Sequence, residues 1–174
     1  AIKENKKAKE IKDLCLMNLL EYGTKQFFEA ECSGNYIYGK KWDKALLLLA
    51  EYFCQDDSKI NFIPLSSRIH IEHILPQTTD SSNSIWNILF TAEQRESLTN
   101  SIGNLTLLSM RKNIQAQNYS FAEKKIAYQD KDNMITSFVL TQNKLKYDQW
   151  TPDEVSKQAK YIQSIIDKII RNVL

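Results

Sequence analysis

The segment from Thr151 to Val173 constrains the fold more than any other part of the sequence. It opens with Thr151 as a helix cap, Pro152 at the first helical position and two acidic residues near the positive end of the helix dipole. Apolar residues then recur at alternating spacings of four and three positions, at Val155, Ala159, Ile162, Ile166, Ile169 and Val173. This pattern predicts a long helix with one apolar face, about three heptads long. We interpret that face as packing on its own domain, with an intermolecular coiled coil as the alternative.

Glycine and proline are scarce along the whole chain. The 174 residues include only four glycines and three prolines, which argues against a sandwich or a loop-rich fold. Hydrophobic residues make up 43% and charged residues 25% of the chain, as in a globular protein, and the length suits a single domain over 1–174. The net charge of +2 permits a nucleic-acid surface without indicating one.

The three cysteines, Cys15, Cys32 and Cys54, are widely spaced and form no C-x-x-C pair. We interpret them as reduced thiols of a cytoplasmic protein. The sequence contains no apolar run of membrane length and no signal peptide, so we expect no membrane partner. The chain starts with Ala1-Ile2-Lys3 and no methionine, which leaves open whether it is a fragment of a longer protein.

Two short segments have the pattern of strands. Ile69–Leu75 alternates polar and apolar residues and should end at Pro76, which cannot donate to a sheet ladder. Leu105–Leu108 is short and apolar, and predicts a second strand paired with the first. A short helix should begin at Thr91, with Gln94 as its capping-box partner, and Gly103 should break it. The remaining helices are predicted at 3–22, 27–32, 41–53, 111–128 and 131–144, and the apolar residues of the third are Trp42, Ala45, Leu46, Leu49, Tyr52 and Phe53.

The first strand also contains the residues best suited to chemistry. The stretch Ile69–Gln77, I-H-I-E-H-I-L-P-Q, holds both histidines of the chain, His70 and His73, and the carboxylate of Glu72. Hydrolysis of a phosphodiester needs a base, for which histidine has a suitable pKa, and a cation such as Mg²⁺, which prefers oxygen ligands. Neighbouring residues of a regular strand point to opposite faces, so Glu72 and His73 can share a site only where the backbone twists, as at the strand end.

The segment E-H-I-L-P-Q, followed by G-N-L-T-L-L and R-K-N, resembles the HNH (His-Me finger, ββα-metal) endonucleases. More closely, it resembles the C-terminal nuclease domain of GmrSD-type modification-dependent restriction enzymes. The resemblance implies that His73 is the general base, Glu72 a metal ligand and Asn104 a brace for the histidine-bearing loop. Asn113, nine positions after Asn104, would be the second metal ligand, with Asn118 as the competing candidate. Glu72 stands where aspartate is more common.

The resemblance also gives a division of the chain and a set of nucleic-acid contacts. It implies an α+β fold that is mostly helical, with a ββα-metal unit at 67–128 between a helical scaffold at 1–66 and C-terminal helices at 129–174. A basic helix would contact nucleic-acid phosphates or form only a solvated face. His70 shares alternation parity with Glu72, which leaves open whether it lies near the site, and we expect it to have no essential role. The candidate contact residues are Arg111, Lys112, Asn118, Lys124 and Lys125.

These features together predict a Mg²⁺-dependent DNA endonuclease, with Mn²⁺ as an alternative metal and RNA as an alternative substrate. The resemblance further implies a role in restriction or anti-phage defence. It also implies an N-terminal sensor or nucleotide-using region elsewhere in the full-length protein. Two other interpretations are a nucleic-acid-binding module with a degenerate, non-cleaving site and a helical interaction domain. The sequence leaves the oligomeric state open.

Overall fold

The computed structural model describes residues 37–40, 42–55, 63, 66–79, 84–129 and 138–173, with side chains described up to Lys168. Within this part the chain forms seven α-helices, one 3-10 turn and two strands. In chain order they are α1 (Asp43–Cys54), β1 (Ile69–His73), α2 (Ile85–Leu89), α3 (Ala92–Leu98), the 3-10 turn (Ile102–Asn104), β2 (Leu105–Ser109), α4 (Met110–Ala116), α5 (Phe121–Gln129), α6 (Val139–Gln142) and α7 (Pro152–Val173).

The two strands form an antiparallel sheet, in which Ile69 pairs with Ser109 and His73 with Leu105. This confirms the predicted strand pairing and the α+β class. The strands lie in the interior, since four of the five residues of β2 are buried. Their apolar side chains join those of α1, α6 and α7 in the main core, whose buried members include Leu47, Leu105, Leu107, Leu140 and Ile162. The sheet is therefore a short buried element inside a helical domain.

Helix α7 confirms the prediction for the end of the chain. It starts at Pro152, and Val155, Ile162 and Ile166 are buried against the rest of the domain, as the intramolecular interpretation requires. Its first turns pack closely against the 3-10 turn. A Cβ at Gly103 would clash with the carbonyl oxygen of Val155 and lie 2.8 Å from the amide nitrogen of Ala159. Gly103 is thus required by a close approach of two backbones.

A local sequence signal explains the start of helix α3. Thr91 and Gln94 form the predicted capping box, in which the Thr91 side chain accepts from the Gln94 amide and the Gln94 side chain accepts from the Thr91 amide. The helix that they start, α3, ends at Leu98, and Gly103 lies in the following 3-10 turn, so the glycine does not itself end the helix. No helix in the described ranges is both long and apolar enough to cross a bilayer.

Three predictions need correction. The helix predicted at 111–128 is two helices, α4 and α5, separated where Gln117 adopts a φ of 38°. The buried side of α1 was partly wrong, because Leu49 and Phe53 are 39% and 50% exposed while Leu47, Leu48, Ala50 and Glu51 are buried. Of the helix predicted at 131–144, the structure describes only the last part, which is the short α6. The helices predicted at 3–22 and 27–32 lie outside the described residues.

Candidate active site

The end of β1 directs its two ionisable residues into a polar cavity. Glu72 and His73 are the last two residues of the strand, and each side chain is less than a tenth exposed. Both nevertheless line one cavity of about 290 Å³, because the regular strand ends at His73. The cavity is completed by Ile71 of the same strand and by residues from three other segments, namely Tyr38, Pro76, Gln77, Thr78, Asn113, Gln117 and Asn118.

Glu72 lies in a buried ion pair with Lys124 of α5. The Lys124 ammonium donates to Glu72 Oε1 at 2.7 Å and to the carbonyl oxygen of His73 at 2.6 Å. The Tyr128 hydroxyl donates to the same Oε1 at 3.1 Å. Burial raises the pKa of Glu72, while Lys124 and Tyr128 oppose that rise. The described residues donate no side-chain hydrogen bond to the second carboxylate oxygen, Oε2, while the His73 backbone amide also opposes the rise in the carboxylate pKa.

The ring of His73 is held on two sides. Nε2 lies 3.0 Å from Asn100 Oδ1, and the Gln77 side-chain amide donates to the same oxygen at 3.4 Å. Because Oδ1 acts as the acceptor, Nε2 carries the imidazole proton and Nδ1 keeps its lone pair. The Tyr38 ring packs edge-on against the imidazole with centroids 4.3 Å apart. Burial lowers the pKa of His73 to about 4, so the imidazole is neutral at physiological pH, as a general base must be.

Asn104 joins three segments around the site. Its Oδ1 accepts from the Leu75 amide at 2.7 Å and from the Trp150 indole at 3.0 Å. Its Nδ2 donates to the carbonyl oxygens of Leu75 at 2.9 Å and Thr99 at 2.8 Å. The side chain is fully buried, so these bonds exchange poorly with water. The turn that follows β1 is consequently fixed to the end of α3 and to the start of α7.

Asn113 and Asn118 both line the cavity, but their surroundings differ. Asn113 is on α4, and its Oδ1 is buried with no hydrogen-bond partner among the described residues. Asn118 is exposed and donates to the Thr78 hydroxyl at 3.0 Å. A buried amide oxygen without a partner is costly unless a ligand satisfies it. Asn113 Oδ1 and Glu72 Oε2 are therefore two oxygens of the kind that Mg²⁺ accepts, and the donors fit such an ion.

The predicted nucleic-acid contacts do not form one basic surface. Lys124 was predicted to face nucleic acid, and that prediction is wrong, because the residue is 1% exposed and its ammonium is bonded to Glu72 and His73. The ammonium groups of Lys112 and Lys125 donate to the carbonyl oxygens of Tyr128 and Tyr147, each at 2.8 Å. Arg111 and Asn118 are exposed. The division of the predicted helix into α4 and α5 accounts for this, since it changes the direction of the chain at Gln117.

Two residues at the site were missed by the sequence analysis, Asn100 and Tyr38. Asn100 lies four positions before Asn104, just outside the G-N-L-T-L-L segment, and was assigned no role. Tyr38 lies far from the motif, and only the fold places it there, through hydrogen bonds from the Ile37 and Tyr38 amides to the Asn100 carbonyl. The position of His70 was left open by the sequence, and the residue does not line the cavity.

Fold and site together define an α+β domain in which a short buried sheet presents a carboxylate and a histidine, and helix α4 an asparagine, to one polar cavity. The sequence matches the family model of the C-terminal domain of GmrSD restriction endonucleases over residues 23–165, which is most of the chain. The chain therefore belongs to that family. Neither the curated proteins nor the solved structures contain a match to it. Family membership supports a nuclease function of the restriction-endonuclease type.

Proposed function

We propose that this domain is a metal-dependent endonuclease of the HNH type that hydrolyses DNA phosphodiester bonds. The observation that carries the proposal is the convergence of Glu72, His73 and Asn113 on one cavity, with the Asn113 amide oxygen buried and unbonded among the described residues. A neutral histidine beside two such oxygens supplies both functions that phosphodiester hydrolysis requires, a base and a cation site.

His73 is the general base in this proposal. Its Nδ1 removes a proton from the attacking water, and the imidazole becomes cationic in that step. Asn100 stabilises the cation, because its Oδ1 accepts from Nε2 in both protonation states. It also keeps the ring in the tautomer in which Nδ1 is the basic atom. The low pKa of His73 makes it a weaker base than an exposed histidine, but ensures that it is unprotonated before the reaction.

Glu72 and Asn113 would hold Mg²⁺ or Mn²⁺. When bound, the ion stabilises negative charge on the phosphate and on the leaving oxygen. Lys124 offsets the charge of Glu72, so the protein alone presents little net negative charge to a cation. Magnesium in such sites is usually shared between one or two carboxylates and the phosphates of the substrate. We therefore expect tight metal binding only when nucleic acid is present.

Asn104 acts at a distance from the reacting atoms. Its bonds to both backbone groups of Leu75 fix the turn that follows His73, and so fix the position of the imidazole. Arg111 and Asn118, which are exposed, would contact the DNA around the cavity. Because such contacts release counterions, activity should fall as the salt concentration rises.

Nicking of supercoiled plasmid tests the proposal. Wild type should nick with Mg²⁺ or Mn²⁺ and not with EDTA, and His73→Ala should reduce the rate by about 10²–10⁴-fold, as for loss of a general base. His70→Ala is the matched control, since His70 is on the same strand but does not line the cavity. Equal rates for His73→Ala and His70→Ala would refute the role of His73. DNA binding by wild type without nicking in either metal would favour the non-cleaving module.

A further inference from the structure

A second polar cavity, of about 320 Å³, adjoins the first. It is lined by Pro76, Gln77, Thr79, Arg95, Glu96, Thr99 and Asn100. Pro76 and Gln77 line both cavities, so the turn after β1 forms a common wall. A bound nucleic-acid strand could therefore cross this turn and occupy both cavities at once.

Asn100 and Gln77 connect the second cavity to His73. Asn100 lines this cavity, yet its side-chain oxygen contacts His73 Nε2 at 3.0 Å. The Gln77 amide nitrogen lies 3.4 Å from the same oxygen. The imidazole is thus one side chain away from the second cavity. A ligand there would lie directly beside the reaction centre without touching Glu72 or Asn113, neither of which lines the second cavity.

Arg95 is the cationic residue of the second cavity. It is half-buried, and its Nη1 donates to the carbonyl oxygen of Phe90 at 2.9 Å, which orients the guanidinium. A guanidinium has five N–H donors, and this bond uses one of them. No ion pair of Arg95 is found in the described ranges. An oriented arginine with free donors is well suited to recognise a phosphate in the fork geometry that lysine lacks.

The charge of the cavity limits which phosphate it accepts. Glu96, next to Arg95, also lines it, so the net charge of the pair is near zero. A carboxylate repels a dianionic phosphate monoester or free phosphate more strongly than a phosphodiester, which carries a single charge. Gln77, Thr99 and Asn100 add neutral donors and acceptors that suit a sugar or a base edge. The lining therefore favours a nucleotide within a strand over a free phosphate.

We propose that this cavity is a subsite for the nucleotide next to the scissile phosphate, with Arg95 as its phosphate-binding residue. The proposal rests on the proposed nuclease function and adds the second point at which the strand is held. Arg95 positions the substrate and takes no part in proton transfer, since it does not line the cavity of Glu72 and His73. Its loss should therefore weaken substrate binding more than turnover.

The test compares Arg95→Gln with Arg68→Gln in the full chain, because Arg68 is exposed and lines neither cavity. Arg95→Gln should raise the KM for plasmid nicking by about tenfold with little change in kcat, as for loss of one charge-assisted hydrogen bond. It should also reduce by about one the slope of log binding constant against log salt for a labelled DNA oligonucleotide. Arg68→Gln should match wild type, and Arg95→Lys should recover part of the binding.

Gln77→Glu is a second test that does not disturb the contact of Arg95 with Phe90. It adds a carboxylate at the exposed wall of the subsite and should weaken oligonucleotide binding in the same direction. If wild type nicks plasmid but Arg95→Gln and Gln77→Glu both match Arg68→Gln in KM and in oligonucleotide binding, the proposed subsite is refuted and the nuclease function stands. If wild type binds the oligonucleotide but never nicks it, and Arg95→Gln reduces binding and the salt slope, the subsite stands and the nuclease function fails.

Discussion

Replacement of Lys124 by methionine should lower the free energy of unfolding more than most single substitutions do. Methionine keeps the apolar stem of the side chain, so packing changes little and the loss is mainly electrostatic. The side chains of Lys124 and Glu72 are 1% and 7% exposed, and the ammonium also bonds the His73 carbonyl. Removing one member of a buried ion pair leaves an uncompensated charge and costs about 3–5 kcal/mol.

Two further variants separate this explanation from general damage to the core. Lys157→Met removes the pair with Glu154, whose lysine is 65% exposed, and should cost less than about 1 kcal/mol. Glu72→Gln combined with Lys124→Met removes both charges and should regain at least half of the loss, since neutral replacements of a buried pair are often tolerated.

Urea unfolding at neutral pH with EDTA, followed by fluorescence of the buried Trp86 and Trp150, measures all three free energies. EDTA removes any contribution of a divalent ion near Glu72. Equal losses in Lys124→Met and Lys157→Met would refute the reasoning. A double variant no more stable than Lys124→Met would also refute it, because the unpaired Glu72 carboxylate could then not be the cause of the lost stability.

Three other predictions concern the glycine contact, the histidine and a buried lysine. Gly103→Ala should lower the free energy of unfolding by at least about 3 kcal/mol, because the added Cβ clashes with the backbone of α7. The control Gly39→Ala places its Cβ in open space at a φ of 87°, and should lower it by only about 1 kcal/mol. Asn100→Leu should lower the plasmid-nicking kcat by at least tenfold, because the His73 tautomer is no longer fixed. Asn100 also lines the second cavity, so KM should rise by a smaller factor, and a larger effect on KM than on kcat would contradict this. Burial lowers the pKa of Lys144 to about 7. Between about pH 7 and 10.5 the unfolded chain therefore binds more protons at this lysine than the folded chain does. Because of this difference, the free energy of unfolding should rise with pH in that window. Other groups also titrate in this window, so the contribution of Lys144 is the difference in slope between wild type and Lys144→Met, which should approach about 1.4 kcal/mol per pH unit in urea unfolding at several pH values.

Local patterns in the sequence were sufficient for the two strands and for the starts of two helices. Both strands were predicted correctly, from the alternation in Ile69–Leu75 and from the apolar run at Leu105–Leu108. Their pairing followed, because each strand of a buried two-stranded sheet needs the other as its partner. The capping box at Thr91 and the start of the last helix at Pro152 were also correct, since capping depends on residues within one turn. The pairing places Glu72 and His73 at the end of β1, where both line one cavity.

Other features depend on contacts that a sequence pattern does not show. The break at Gln117 has no glycine or proline to mark it, so two helices were predicted as one. A lysine is rarely buried, and only the neighbouring Glu72 explains why Lys124 is. The leucine run in α1 fits several helical faces, and tertiary packing selected one of them. Tyr38 reaches His73 through contacts between segments far apart in the chain.

The hydrogen bonds of Asn104 bear on how this domain can vary between relatives. Leu75 and Thr99, at the two ends of a long connection, are both tied to the same buried side chain. The ends of the connection are therefore fixed together at its base, and the entropic cost of lengthening it grows only slowly. Insertions between residues 78 and 90 could change what the domain recognises while the geometry at His73 is preserved. One asparagine would thus let specificity evolve separately from the reaction centre.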